Sequence, residues 1–289
     1  MAHSLKQTLR HYARVAWKGT MHAIPHPLVL DYHLVDSCNL NCASCLHYSS
    51  VAKKDSFIDI GKMEREMILL HDKTSSGKKL RQMRLLGGEP LLHPHIVDCL
   101  SLARKYFPKA NLTIWTNGIL LPKMGKDFYD ACRKYNIDIT ISDYKILDTE
   151  EIASKTRQEG IVCDVAENMG DRWLSKSIRL TPGIVDCFKY CDMSYECNTY
   201  RDGKVYLCPL MAHIEIFNHF FEKNIVLGEK SFVDVTKVRN YFDLQWKVRR
   251  LRPRFCYVNC NLYDAEGNLN LTVGQRTATK KDIEEFCAV

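Results

Sequence analysis

No run of about 18 apolar residues occurs in the 289-residue chain, so no membrane span is expected. The first stretch, "MAHSLKQTLRHYARVAWKG", lacks an uninterrupted apolar core, so a secretory signal is not expected either. Internal repeats and low-complexity segments are absent. Charge is not strongly one-sided: 41 Lys and Arg against 34 Asp and Glu leave a net +7. The basic residues are scattered, apart from "KVRRLRPRF" at 247–255, which reads as a solvated helix face. A nucleic-acid partner would ask for a denser basic and aromatic surface, so none is expected. Hydrophobic content of 46% and charged content of 26% suit a globular protein with a sizeable core. Residues 1–27 read as an amphipathic helix packed on the body, with Leu5, Leu9, Tyr12 and Ala16 on one face and Lys6, Arg10, Arg14 and Lys18 on another.

Cysteine is the residue in excess, at 13. Without an export signal, a reducing cytoplasmic setting is expected, and disulfides are not. Clustered cysteines there bind metal or do redox chemistry. Cys38, Cys42 and Cys45 fall within "DSCNLNCASCLHYSS", spaced C-x3-C-x2-C. Six more lie at Cys187, Cys191, Cys197, Cys208, Cys256 and Cys260. Cys99, Cys132, Cys163 and Cys287 stand alone, as small buried hydrophobes do.

From residue 28 to about 166, short apolar runs alternate with amphipathic stretches. Strands are expected at 28–35, 80–88, 111–118, 136–144 and 161–167, and helices at 59–73, 93–107, 123–135 and 149–160. That rhythm predicts parallel βα units of the α/β class, with the chemistry at the C-terminal strand ends. The cysteine triplet falls just after the first strand. Beyond 168 the rhythm breaks. "CNTYRDGKVYLCP" (197–209) reads as a hairpin turning at Asp202-Gly203, and a helical stretch is expected around 231–251.

A closed zinc site would take four ligands, with His47 available as a fourth to the three thiols. A four-iron cubane held by three thiolates would instead leave one iron open. At this point the chain resembles the radical S-adenosylmethionine (radical SAM) enzymes. Cys38, Cys42 and Cys45 match their C-x3-C-x2-C signature. Gly87-Gly88-Glu89-Pro90 matches their G-G-E-P motif at the end of the second strand.

The resemblance covers residues 28 to 166 and implies a partial (β/α)6 TIM-like barrel. It implies a [4Fe-4S] cluster on the three cysteines, completed by S-adenosylmethionine. The Gly87-Gly88 loop would grip the methionine ammonium, with Glu89 as its negative partner and Pro90 closing the motif. Asn117 and Ser142 end the third and fourth strands, where the family holds the cofactor, with Ser142 a candidate for the ribose. The family often has an aromatic residue before the third cysteine, toward the adenine; here it is Ser44, with Tyr48 or His47 as substitutes.

The later cysteines resemble the family's SPASM or shorter twitch extension, which binds auxiliary clusters. Gly203-x4-Cys208 fits its opening motif, preceded by Cys191 or Cys187. The implied ligands of a second [4Fe-4S] cluster are Cys191, Cys208, Cys256 and Cys260, with Cys197 as substitute. A zinc ribbon on the same thiols is the alternative. The expected domain limits are 1–27, 28–180 for the barrel, and 181–289 for the cysteine-rich hairpin and helix.

The reaction is expected to be hydrogen abstraction followed by dehydrogenation or epimerisation, with Cys163 as a weak candidate hydrogen donor. The family's peptide-modifying members often carry a leader-binding domain, for which 27 residues are too few. The expected substrate is therefore a small molecule or carbohydrate, and a flavodoxin or ferredoxin the electron donor. An RNA- or peptide-modifying enzyme and a non-catalytic iron–sulfur or zinc protein are the alternatives.

Overall fold

A computed structural model describes residues 28–167, 172–181, 185–191, 197–273 and 283–288. The amphipathic stretch at 1–27 lies outside the described residues. The expected alternation is found. Strand β1 (Leu28–Val35) leads through the cysteine loop to helix α1 (Ile60–Lys73). Then follow β2 (Leu80–Gly87), α2 (Ile96–Tyr106), β3 (Asn111–Thr116), α3 (Lys126–Tyr135), β4 (Ile137–Asp143), α4 (Thr149–Gln158) and β5 (Cys163–Glu167).

Local chemistry sets these limits. The Asp59 side chain accepts from Lys62 N at 2.8 Å and starts α1. Asp148 does the same for α4 through Glu151 N at 2.9 Å. Asn136 closes α3 in the left-handed region, at φ 50°. Met63, Met67 and Leu70 recur at helical spacing and are fully buried, so α1 lays one face on the sheet. Leu30, Leu85, Ile114 and Ile139 on the strands are 0% exposed and belong to the same core cluster. Each such side chain contributes about 1.5–3 kcal/mol by leaving water.

Strands β1 to β5 pair in parallel, in consecutive order. The sixth parallel place is not beyond β5. There, β6 (Arg172–Leu174) pairs instead with β11 (Leu271–Val273), and β7 (Ile178–Arg179) with β12 (Cys287–Ala288). On the other edge of the sheet, β8 (Thr199–Arg201) runs parallel to β1, with Asp31 opposite Thr199 and Tyr32 opposite Tyr200. The expected hairpin returns as β9 (Lys204–Tyr206), turning through Asp202 at φ 52° and Gly203 at φ 69°. These positive angles suit a hairpin turn.

The helix expected over 231–251 is shorter. Its first part is β10 (Phe232–Asp234), antiparallel to β9, and only Tyr241–Arg249 forms a helix. The run "FVDVTKV" is rich in β-branched residues, which pack well on a pleated edge. Phe232 packs on Tyr206 at 5.5 Å between ring centres. The cysteine-rich hairpin thus continues the main sheet, giving eight strands in one layer. The α/β fold expected, a large parallel sheet of the partial TIM-like barrel type with a cysteine-rich hairpin, is the one found, with five βα strands in sequence and β8 beside β1.

Candidate active site and metal centre

Three loops meet at the C-terminal ends of β1 to β4. The first carries the cysteines. The second is Gly87-Gly88, and it lies hard against the first. Gly88 N donates to Val35 O at 2.8 Å, and Glu89 N donates to Ser37 O at 3.1 Å. A Cβ on Gly87 would sit 2.2 Å from Val35 O, and one on Gly88 would sit 2.2 Å from Ser37 O. Only glycine permits this approach. The third loop, Thr116-Asn117, is tied to the second by Glu89.

Glu89 has a different role from the one expected of it. It is 0% exposed and does not border the cavity. Its carboxylate accepts from Leu91 N at 3.1 Å, Thr116 Oγ1 at 2.7 Å and Asn117 N at 2.9 Å. Burial pushes the acid up to about 7, against the pull of these donors. Glu89 therefore braces two strand-end loops, and its oxygens are spent on the protein. Pro90 opens the short turn Pro90–Leu92, also behind the cavity wall.

The loops enclose a cavity of about 430 Å³. Cys38, Cys42 and Cys45 all border it, with Gly87, Gly88, Asn117 and Ser142. This is the constellation expected from the sequence, minus Glu89, Pro90 and Tyr48. Tyr48 is fully buried; its backbone turns at φ 54°, and its hydroxyl donates to Leu210 O at 3.1 Å. It anchors the cysteine loop and is turned away from any adenine. The Ser44 hydroxyl donates to Glu285 O at 3.0 Å. Aromatic walls come from residues the sequence did not single out. Tyr144 and Trp173 stack at 5.2 Å and 15°, and Trp115 lies nearby under Arg84.

The donor set fits an iron–sulfur group with a small ligand. Leu40 N donates to Cys38 Sγ at 3.3 Å, and Asn117 Nδ2 approaches the same sulfur at 3.7 Å. Such N–H···S contacts tune cluster potentials. Among the described residues, no three cysteine sulfurs gather within 4.8 Å of one another. One tetrahedral zinc ion would draw thiolates to about 3.8 Å, whereas a cubane spreads them wider. Ser49 Oγ, Ser50 Oγ and Trp115 Nε1 border the cavity, buried and without partners. Buried polar atoms of this kind ask for a bound ligand.

The second cysteine group comes from the C-terminal part of the chain. Cys187, Cys191, Cys208, Cys256 and Cys260 are all buried. Cys187 lies on a short helix, Cys187–Tyr190, and Cys256 on another, Arg254–Val258. Cys187 Sγ donates to Cys260 O at 3.3 Å. Burial first, and then the charges of Cys208, Cys191 and Cys187, hold Cys256 well above the usual thiol range. These thiols are therefore one electrostatic neighbourhood. Cys197 reaches both groups, since it feels the charge of Cys191 and bears in turn on Cys208. It borders the main cavity, beside Arg84 and Asp31, and burial pushes it up to about 11. Cys163 is 2% exposed, under α4 with Thr156, and does not border the cavity. Its placement gives no support to a donor role.

Three cysteines spaced C-x3-C-x2-C around one cavity, at the strand ends of a parallel α/β sheet, suit an open iron–sulfur centre. Residues 29–157 match the family model of the 4Fe-4S single cluster domain. The GTP 3',8-cyclase of Nostoc sp. (strain PCC 7120 / SAG 25.82 / UTEX 2576) is 31% identical over 168 residues, covering 54% of this chain and 49% of that protein. The GTP 3',8-cyclase of Chlorobaculum tepidum is 29% identical over 126 residues, covering 44% and 35%. The chain spans about half the length of the first of these relatives or less. A crystal structure of BtrN in complex with AdoMet and 2-DOIA superposes with a TM-score of 0.49 at 13% identity, covering 81% of this chain and 88% of that one. A crystal structure of Streptococcus suis SuiB gives 0.37 at 20% identity, covering 57% and 37%. The matched region, residues 29–157, supports a radical SAM enzyme. No helix among the described residues is long and apolar enough to cross a membrane.

Proposed function

We propose that the protein is a radical SAM enzyme that cleaves S-adenosylmethionine and abstracts hydrogen from a small-molecule or carbohydrate substrate. One observation carries the reading: three thiols and the Gly87-Gly88 edge border a single cavity. A [4Fe-4S] cluster on Cys38, Cys42 and Cys45 would supply the electron that breaks the sulfur–carbon bond of S-adenosylmethionine.

The chain's own residues do the rest. Backbone groups at Gly87-Gly88 hold the amino-acid end of the cofactor. Ser142 and Asn117 offer polar contacts to its ribose side. Trp115, Tyr144 and Trp173 give flat apolar surface and exclude water from the reacting carbon. The substrate enters over the same walls. The outcome we favour is dehydrogenation or epimerisation, in the cytoplasm, with a flavodoxin or ferredoxin as electron donor.

The five buried thiols support a second [4Fe-4S] cluster on Cys191, Cys208, Cys256 and Cys260, in a twitch-like region from 181 to 289. Cys187, buried in the same group, joins Cys197 as an alternative ligand, while Cys197 also borders the main cavity. Iron and sulfide on anaerobically reconstituted protein test this. About eight irons per chain should fall to about four in the Cys38/Cys42/Cys45→Ala variant. Four falling to none would remove the second cluster.

A further inference from the structure

A third group of ligating side chains lies beside the first cysteine set, His47 being two residues past Cys45 and bordering the same cavity. His33 comes from β1, His47 from the cysteine loop and His213 from the turn just after Pro209–Ala212. The rings of His33 and His213 are centred 3.8 Å apart, and those of His33 and His47 4.6 Å apart. His33 Nε2 faces His47 Nδ1 directly. His33 is 5% exposed and His213 only 1%. Neither ring nitrogen of His213 has a hydrogen-bond partner, and His33 Nδ1 has only Asp36, at 3.6 Å. Buried imidazole nitrogens without partners are rare in folded proteins.

One carboxylate faces the group. Asp36 Oδ1 lies 3.6 Å from His33 Nδ1 and 3.9 Å from His213 Nδ1. Arg201 grips the same carboxylate through two nitrogens, so its position is fixed. Metal-bound histidines commonly turn one nitrogen to the ion and give the other N–H to a carboxylate. Asp36 stands where that carboxylate should be, for two of the three rings.

We propose that His33, His47 and His213 bind one divalent transition-metal ion, with zinc the best match to three imidazoles. His33 and His213 offer Nε2, His47 offers Nδ1, and Asp36 accepts from the opposite nitrogens. Among the described residues this is the one group of three His, Cys, Asp or Glu ligand atoms within 4.8 Å of one another. A tetrahedral ion at about 2.1 Å from each nitrogen sets them about 3.4 Å apart; His33 Nε2 and His47 Nδ1 are closer than that and part slightly to admit it. The fourth position is left to water. The ion ties the loop of the first cysteine set to the segment that follows Cys208. Nothing in this inference depends on the iron–sulfur reading.

The test uses zinc itself. Full-length protein is reconstituted anaerobically with iron, sulfide and zinc, and freed of loose metal with a weak chelator. Metal content is measured on wild type, His213→Gln and His33→Gln, with X-ray absorption at the zinc edge on wild type. The expected result is about one zinc per chain, with only nitrogen and oxygen in its first shell. At least a five-fold loss of zinc is expected in each variant, with iron unchanged. Wild type without zinc overturns the site, as does a zinc shell containing sulfur near about 2.3 Å, which would place zinc on cysteines. Full zinc in both variants also overturns it. The wild-type spectrum decides even if a variant fails to fold.

Discussion

Arg201 holds Asp36 in a two-pronged ion pair, Nη1 to Oδ1 at 2.6 Å and Nη2 to Oδ2 at 2.9 Å. Arg201 ends β8, the first arm of the cysteine-rich hairpin, and Asp36 is the first residue after β1. The pair therefore fastens the hairpin to the root of the cysteine loop. The guanidinium and a neighbouring histidine hold Asp36 well below the usual carboxylate range, against its burial. Arg201→Met would leave a largely buried carboxylate with only the His33 and His213 rings beside it, and should cost about 3 kcal/mol. Denaturant unfolding of the anaerobic protein measures it. A loss below about 0.5 kcal/mol would mean that the hairpin is held by β-pairing alone.

Gly88→Ala should be more disruptive than its one added methyl implies. Its Cβ would meet the Ser37 carbonyl at 2.2 Å, and backbone cannot step aside cheaply. The expected cost is about 1–3 kcal/mol. The cysteine loop should move with it, so bound iron should fall as well. Normal iron with normal stability would show that the two loops are not in contact.

Glu89 makes stability depend on pH in an unusual direction. Its folded value, about 7, lies above its ordinary 4.5. The folded protein therefore keeps a proton that the unfolded chain has released. Stability from this group is full below about 4.5, falls as pH rises, and is lost above about 7, by about 3 kcal/mol in all. Glu89→Gln cannot titrate. Wild type minus variant stability should therefore shrink between pH 5 and pH 8. A difference that stays flat would show that Glu89 is ionised throughout, held so by its three donors.

Cys197→Ser should keep all the iron, because Cys197 borders the main cavity beside Arg84. Cys208→Ser, within the buried group, should lose the second set of about four irons. Equal losses in both would return Cys197 to the ligand shell.

The first half of the chain was legible because its signals are local. "LVLDYHLV" forms β1 over its whole length, and Asp59 and Asp148 cap the helices expected after them. The C-x3-C-x2-C and Gly87-Gly88 motifs point to their loops because a strand precedes each. What was not legible depends on distant pairing. Nothing in "TYR" at 199–201 says that it will lie beside β1, yet that contact brings the hairpin into the main sheet. Tyr48 reads as a cavity residue until its positive φ turns the ring toward Leu210. Glu89 carries the charge expected of an ammonium partner, but three buried donors claim it. The histidine group joins positions 33, 47 and 213, a spacing that no local pattern marks.

The most direct test of the central claim is S-adenosylmethionine cleavage by reduced, anaerobically reconstituted protein. Wild type should release 5′-deoxyadenosine and methionine in equal amounts. Cys42→Ala should release neither above background, while keeping the iron of the second cluster. Cleavage that survives Cys42→Ala would contradict the assignment of Cys38, Cys42 and Cys45. No cleavage by wild type with its iron in place would contradict the radical SAM activity itself.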